Sequence, residues 1–248
     1  MLTVLAQDDA YVAIAKPPGR IVVQGRGSAA NEIPIRHELE EQLGRRLLVV
    51  HRLDRGTSGA LLFATDADSH RALSQAFERH QVVKHYWALV RGRLLGSGEV
   101  DLPLVGIRGG MVRAGRPGEM GGKPSRTAWR AVERIGNYTI VDFRPATGRL
   151  HQIRAHAAAL GHPLAVDPDY GGAARLTVND VTTERARDEP AADPTAPPIL
   201  ERTPLHALSI KFTDPRSRRS IVVDAPLAED LVVGVARLRR AVGDPHPA

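Results

Sequence analysis

The 248-residue chain contains no cysteine. That excludes a disulfide framework, a thiolate nucleophile and any cysteine-based zinc site, and it suits a reducing compartment. Aromatic residues are scarce at 4%: four Phe, four Tyr and two Trp. An extended stacking platform for single strands needs more of them. A nucleic acid would instead be gripped by its backbone, with one base inserted into a pocket. No apolar run approaches the roughly 20 residues that a membrane span requires. The first residues, MLTVLAQDDAYVAIAK, lack a basic stretch followed by a long apolar one, so no secretory leader is expected. No phosphate-binding or dinucleotide-type Gly-rich loop and no G-x-S-x-G elbow occurs, which argues against nucleotide cofactors and hydrolase chemistry. There is no internal repeat.

What the chain does carry is basic charge. The net charge is +6 and the pI about 10.1. Lys and Arg neutralise phosphates and release counterions, so this balance favours a polyanionic partner. A 42% hydrophobic fraction is enough to bury a proper core.

Taken in order, Tyr11–Ala15 reads as a strand, Lys16-Pro17-Pro18-Gly19 as a turn and Arg20–Gln24 as a returning strand. A helix is expected from Pro34 to Leu43, stopped by Gly44, and another from about Ala67 to His80 with Asp66 as its cap. Val82–Val90 reads as a strand, and residues 102–125 as a Gly-rich basic loop. Thr127–Arg134 and Tyr138–Arg144 form a hairpin around Gly136-Asn137. Leu150–Leu160 is expected to be helical. Residues 173–203 are rich in Asp, Glu, Pro, Thr and Ala and read as a flexible, loosely packed insertion. A second hairpin, Ala207–Phe212 with Ser220–Val223, and a helix from Glu229 to Ala241 close the chain. Adjacent strands joined by hairpins indicate an α+β fold, a mixed and largely antiparallel central sheet flanked by helices, in a single domain spanning 1–248.

The stretch that organises the rest is Leu47–Thr65, LLVVHRLDRGTSGALLFAT. Two short aliphatic runs, Leu47–Val50 and Ala60–Phe63, read as buried strands around HRLDRGTSG. Asp54 lies between Arg52 and Arg55. A carboxylate between two guanidiniums, on a segment clamped at both ends by core strands, is suited to act as a rigidly held nucleophile or base. A solvated turn with surface ion pairs fits the same pattern. His151, His156 and His162 raise a metal reading. However, His151 and His156 are five apart, whereas zinc-binding helices use a spacing of four.

HRLDRGTSG resembles the signature of the RluA-type RNA pseudouridine synthases. Val83–Gly92 (VKHYWALVRG), Thr147–Gly171 (TGRLHQIRAHAAALGHPLAVDPDYG) and Leu205–Leu208 (LHAL) resemble further motifs of that family, in its order. The resemblance implies isomerisation of uridine to pseudouridine inside ribosomal or transfer RNA, with no cofactor and no metal. It assigns the catalytic aspartate to Asp54, the active-site tyrosine to Tyr86 and the arginine that pairs with the aspartate to Arg154. Tyr86 would stack on the base and act as proton acceptor. Strand alternation puts Tyr86, Ala88 and Val90 on one face, opposite Trp87 and Leu89. Arg154 falls at the edge of a helix face made by Leu150, Ile153, Ala157 and Leu160. Arg52 would stabilise the space vacated by a flipped uridine. Arg55 and Thr57 would contact phosphate or fix the loop, and Leu150 would touch the base. The resemblance also implies a cytoplasmic bacterial monomer, away from membranes, without the S4-type domain that many relatives carry. The competing class is an RNA-binding or ribosome-assembly factor of the same fold that does not turn over.

Overall fold

A computed structural model describes residues 1–25, 32–182 and 198–243. Twelve strands and five α-helices are found among them: β1 Thr3–Gln7, β2 Tyr11–Lys16, α1 Ile35–Leu43, β3 Leu48–Val49, β4 Ser58–Ala64, α2 Ala67–Glu78, β5 Val83–Arg91, β6 Ser97–Asp101, β7 Leu104–Gly106, β8 Val112–Ala114, β9 Arg126–Ile135, β10 Tyr138–Pro145, α3 Gln152–Ala159, α4 Val178–Thr182, β11 Leu205–Thr213, β12 Ser220–Asp224 and α5 Glu229–Ala241. Ten strands form one sheet along the path β1-β2-β4-β11-β5-β10-β9-β6, with β3 added to β4 and β12 to β11. Every pairing in it is antiparallel except β4 with β11, which is parallel. The α+β architecture is the one that the alternation and hairpin signals predict.

Side-chain alternation divides the core. Val12, Ile14, Leu61, Phe63, Tyr86, Ala88, Val90, Val141 and Phe143 pack on one face with Ile35 and Leu39 of α1 and Ile153 and Ala157 of α3. Residues of the opposite parity pack elsewhere. Trp87, Leu89 and Ile140 lie with Leu231, Val235 and Leu238 of α5, while Tyr11, Ala13, Leu62 and Phe212 lie with Leu73 of α2. Period-two strands can bury both faces only when helices cover both, as they do here.

Local signals account for the helix ends. Asp66 accepts from the Ser69 amide at 2.9 Å and caps α2. Gly44 ends α1 in the left-handed conformation, which a side chain would disfavour.

Several expectations need correction. Arg20–Gln24 is not a strand. Both edges of β2 are already taken, by β1 and β4, so the returning chain has no ladder to join. Leu47–Val50 shortens to Leu48–Val49. The 102–125 segment is not irregular throughout. It contains the β7–β8 hairpin, closed by amide bonds between Leu104 and Lys123. Helix α3 starts at Gln152 rather than Leu150 and is buried nearly all round, so Arg154 is enclosed and not at an exposed edge. The ends of the 173–203 segment join the core: Leu176 and Leu200 are linked by backbone bonds and, with Val181 and Ile199, pack in the cluster beneath α5. Residues 183–197 lie outside the described residues.

Candidate active site

The site forms where β4 changes partners. Along one edge, β4 pairs with β11 at Ser58 and Gly59 and with β3 at Phe63 and Ala64. Between these pairings the edge is open, and the 51–57 loop fills the gap. The Leu62 amide, left without a strand partner there, donates to His51 Nε2 at 3.0 Å. The His51 ring stacks on Phe77, 4.7 Å between centroids. Burial pushes the imidazole down to about 3, so it stays neutral and able to accept.

The loop backbone is held from below. Lys16, 1% exposed, donates to the carbonyls of Pro17, Arg55 and Thr57 at 3.1, 3.1 and 2.7 Å. Burial lowers its ammonium to about 7, opposed by the Asp54 charge. Arg202 donates to the Gly56 carbonyl and to Ser58 Oγ while its other edge grips Asp230 at the start of α5. Gly59 has φ +110°, and a Cβ there would fall 2.2 Å from the Ala207 carbonyl oxygen. Only glycine lets β11 approach so closely. Thus Asp54 sits on a loop whose carbonyls at 55, 56 and 57 are all engaged.

A cavity of about 550 Å³ opens over this loop. Asp54, Tyr86, Lys84, Arg52, Thr57, His151 and Arg154 all line it. A smaller one of about 220 Å³ lies on the other side of Asp54, lined by Arg52, Arg55, Leu150 and His151. Tyr86 is 9% exposed, on the face its alternation predicts. Burial, with help from the Asp54 charge, raises its phenol well above the usual range, so the hydroxyl keeps its proton. Lys84 donates to the Thr147 carbonyl at 3.0 Å, and burial lowers it to about 8, still largely a cation at neutral pH.

Arg154 does reach the cavity, but its direct partners are other carboxylates. It binds Asp167 through two bonds of 2.7 and 2.6 Å and Asp169 at 2.9 Å. Its guanidinium also lies 4.7 Å from the Tyr170 ring centroid. Asp54 acts on it through space, and the net effect is a guanidinium held more firmly charged than usual. The expected contact pair Asp54–Arg154 is therefore replaced by a cation anchored from behind.

The remaining residues singled out in the sequence divide. Arg52 is exposed, and among the described residues it has no carboxylate partner. Arg55 is bound by Glu32 through two bonds of 2.7 Å. Thr57 is buried and its amide closes a turn onto the Asp54 carbonyl. Leu150 is half-buried, on the smaller cavity. His156 bonds Thr127 and the Leu102 carbonyl, and His162 bonds the Arg91 carbonyl. Ser58 meets His206 at 2.9 Å, but both are buried away from either cavity, and Arg202 also donates to the hydroxyl. The residues that sequence reasoning missed are the supports: Lys16, Lys84, Asp167 and Arg202. Lys84 and Asp167 lie inside the resembling stretches, yet their roles depend on contacts 60 or so positions and 13 positions away along the chain.

The profile of a family described as RNA pseudouridylate synthase matches residues 10–159. The chain is 32% identical over 241 residues to the ribosomal large subunit pseudouridine synthase D of Nitrosomonas europaea, covering 96% of this chain and 65% of that protein. It is 30% identical over 240 residues to the tRNA pseudouridine synthase C of Salmonella typhimurium, covering 92% of this chain and 86% of that one. It is 35% identical over 243 residues to the ribosomal large subunit pseudouridine synthase C of Escherichia coli, covering 96% and 70%. Among solved structures, human RNA pseudouridylate synthase domain containing 4 superposes with a TM-score of 0.69 at 23% identity, over 96% of this chain and 93% of that one, which supports the fold.

Proposed function

Because the chain belongs to the RNA pseudouridylate synthase family, we propose that it isomerises uridine to pseudouridine within ribosomal or transfer RNA, with Asp54 as the reacting carboxylate. The observation that carries this reading is convergence: Asp54 from the 51–57 loop, Lys84 and Tyr86 from β5 and Arg154 from α3 meet in one cavity of about 550 Å³, although these are three separate parts of the chain.

The reaction breaks the N1–C1′ bond, turns the uracil and joins C5 to C1′, while the C5 proton is lost and N1 takes up a proton. Its atoms balance without an oxidant, reductant or energy source. Asp54 has to remain ionised close to the reacting carbons. Arg154 places a fixed positive charge on the same cavity, and the loop beneath Asp54 prevents the carboxylate from drifting. Tyr86 offers a ring for the uracil and a hydroxyl that keeps its proton while Asp54 is charged. To accept the C5 proton that hydroxyl would first have to give up its own, which burial opposes even without the Asp54 charge, so the ring contact with the uracil is the part this pocket favours. Lys84 and Arg52 supply positive charge for carbonyl or phosphate oxygens of a flipped nucleotide. Arg55 and Thr57 fix the loop, and Leu150 borders a neighbouring nucleotide or the sugar. Residues 1–248 work as a single catalytic domain, as a cytoplasmic monomer without cofactor.

The test is pseudouridine mapping, by carbodiimide modification and primer extension, on RNA from cells with and without the gene. One uridine should lose its mark and regain it with the wild-type gene but not with Asp54→Asn, while the purified variant still binds RNA. Restoration by Asp54→Asn would defeat the assignment. RNA binding with no site of turnover would favour the non-catalytic factor.

A further inference from the structure

The stretch 147–171 contains one histidine that the proposed reaction leaves without a task. His156 and His162 are occupied by backbone carbonyls. His151 is not. It precedes α3 in the left-handed region, at φ 50° and ψ 24°. A β-carbon is disfavoured there, and such backbone persists where surrounding contacts impose it, often at functional positions.

Those contacts are specific. His151 Nδ1 is 3.0 Å from the Tyr170 hydroxyl. That oxygen also receives the Val112 amide of β8 at 3.4 Å. An amide can only donate, so the hydroxyl accepts from it and is free to direct its own proton to Nδ1. An Nδ1 that accepts leaves the proton of a neutral imidazole on Nε2. Nε2 points at Asp54, 4.0 Å from Oδ1. The Tyr170 ring is in turn fixed over Arg154.

We propose that His151 is a positioning residue for Asp54: Tyr170 locks its tautomer, so that Nε2–H holds and orients the reacting carboxylate when RNA closes the remaining gap. The assignment rests on Asp54 being the reacting group. A separation of 4.0 Å is too long for a direct bond. Catalytic hydrogen bonds are often long without substrate and tighten when it binds. The charged and titratable groups facing the imidazole are Asp54 from the loop, Arg154 from α3, and Asp167, Asp169 and Tyr170 from the segment after α3. Burial and Arg154 outweigh the three carboxylates, which keeps the ring neutral near pH 7. The link through Val112 makes the β7–β8 hairpin part of the lock.

Two variants separate the imidazole from the fold. His151→Asn removes the ring but keeps a residue that accepts left-handed backbone. Tyr170→Phe removes the hydroxyl and keeps the ring over Arg154. The full chain labelled with 15N-histidine should show, for the signal that His151→Asn deletes, protonated Nε2 and bare Nδ1, and Tyr170→Phe should give mixed tautomers. In parallel, single-turnover tritium release is measured from bulk [5-3H]uridine-labelled RNA of cells lacking the gene. Both variants should slow about a hundredfold, the scale of a misplaced reacting group, with RNA retention on filters unchanged. A protonated Nδ1 in the wild type, or wild-type release rates in both variants, overturns the proposal. No release by the wild type itself would defeat the Asp54 assignment and this inference together.

Discussion

Arg154 is shared between two carboxylates, and one of them, Asp167, has a fully buried side chain. Removing the arginine leaves that carboxylate without its counter-ion in a place water does not reach. Arg154→Ala should therefore cost roughly 3–5 kcal/mol of stability, read as a lowered urea midpoint, besides slowing turnover. A midpoint equal to wild type would mean that other groups or water compensate Asp167 in the absence of the arginine. His51 gives a second residue-scale expectation. Its folded pKa of about 3 lies below the 6.5 of the unfolded chain, so its contribution is complete above 6.5 and is lost as pH falls towards 3. Between pH 6.5 and 5.0 the unfolded state binds the extra proton, and stability should drop by about 1–2 kcal/mol. Urea titrations at the two pH values check this, and His51→Gln should reduce the difference, leaving the part that His151, His156 and His206 contribute, each also lowered by burial.

At the scale of elements, the 51–57 loop depends on groups that arrive from β2 and from the segment before β11. Lys16 satisfies three carbonyls at once. Lys16→Met keeps the aliphatic stem and removes every donor. The Arg55 carbonyl keeps the Gly19 amide as a donor, but the buried Thr57 carbonyl loses its Lys16 partner; a buried carbonyl left unpaired costs roughly 1–3 kcal/mol, so the variant should be destabilised. It should also lose activity beyond what instability explains, because Asp54 is carried on the loosened loop. Tritium release measured well below the variant's melting temperature separates these two effects, and a fully active variant would show that Arg202 alone suffices. The RluA-type signature was readable as a motif. Its reason is the edge of β4: His51 closes the gap between β3 and β11, and Gly59 admits the β11 backbone.

At the scale of the whole molecule, the net charge of +6 and the exposed Arg52 beside both cavities call for a salt-dependent grip on RNA. Log K for RNA should fall linearly with log salt concentration, and Arg52→Ala should reduce the slope by about one phosphate contact, roughly 0.7. Filter binding at several salt concentrations reads the slope directly. An unchanged slope would place the Arg52 side chain against the base and not the backbone. No described helix is long and apolar enough to cross a membrane.

The α+β class, the Gly44 stop of α1, the Asp66 cap of α2, the hairpin around Gly136-Asn137, the hairpin joining Ala207–Phe212 to Ser220–Val223, the face of β5 that carries Tyr86 and the family were all legible in the sequence alone. These follow from period, capping chemistry, turn residues and contiguous motifs, all of which act over a few neighbouring positions. Only the tertiary structure decided that Arg154 is anchored by Asp167 and Asp169, that Lys16 and Arg202 hold the loop, that Arg55 is already paired with Glu32, and that His151 faces Asp54. A buried charge selects its partner by proximity in the folded core, where desolvation makes an unpaired ion costly. Residues 16 and 57, or 58 and 202, become neighbours only after the sheet has formed, so no local pattern could announce the pairing.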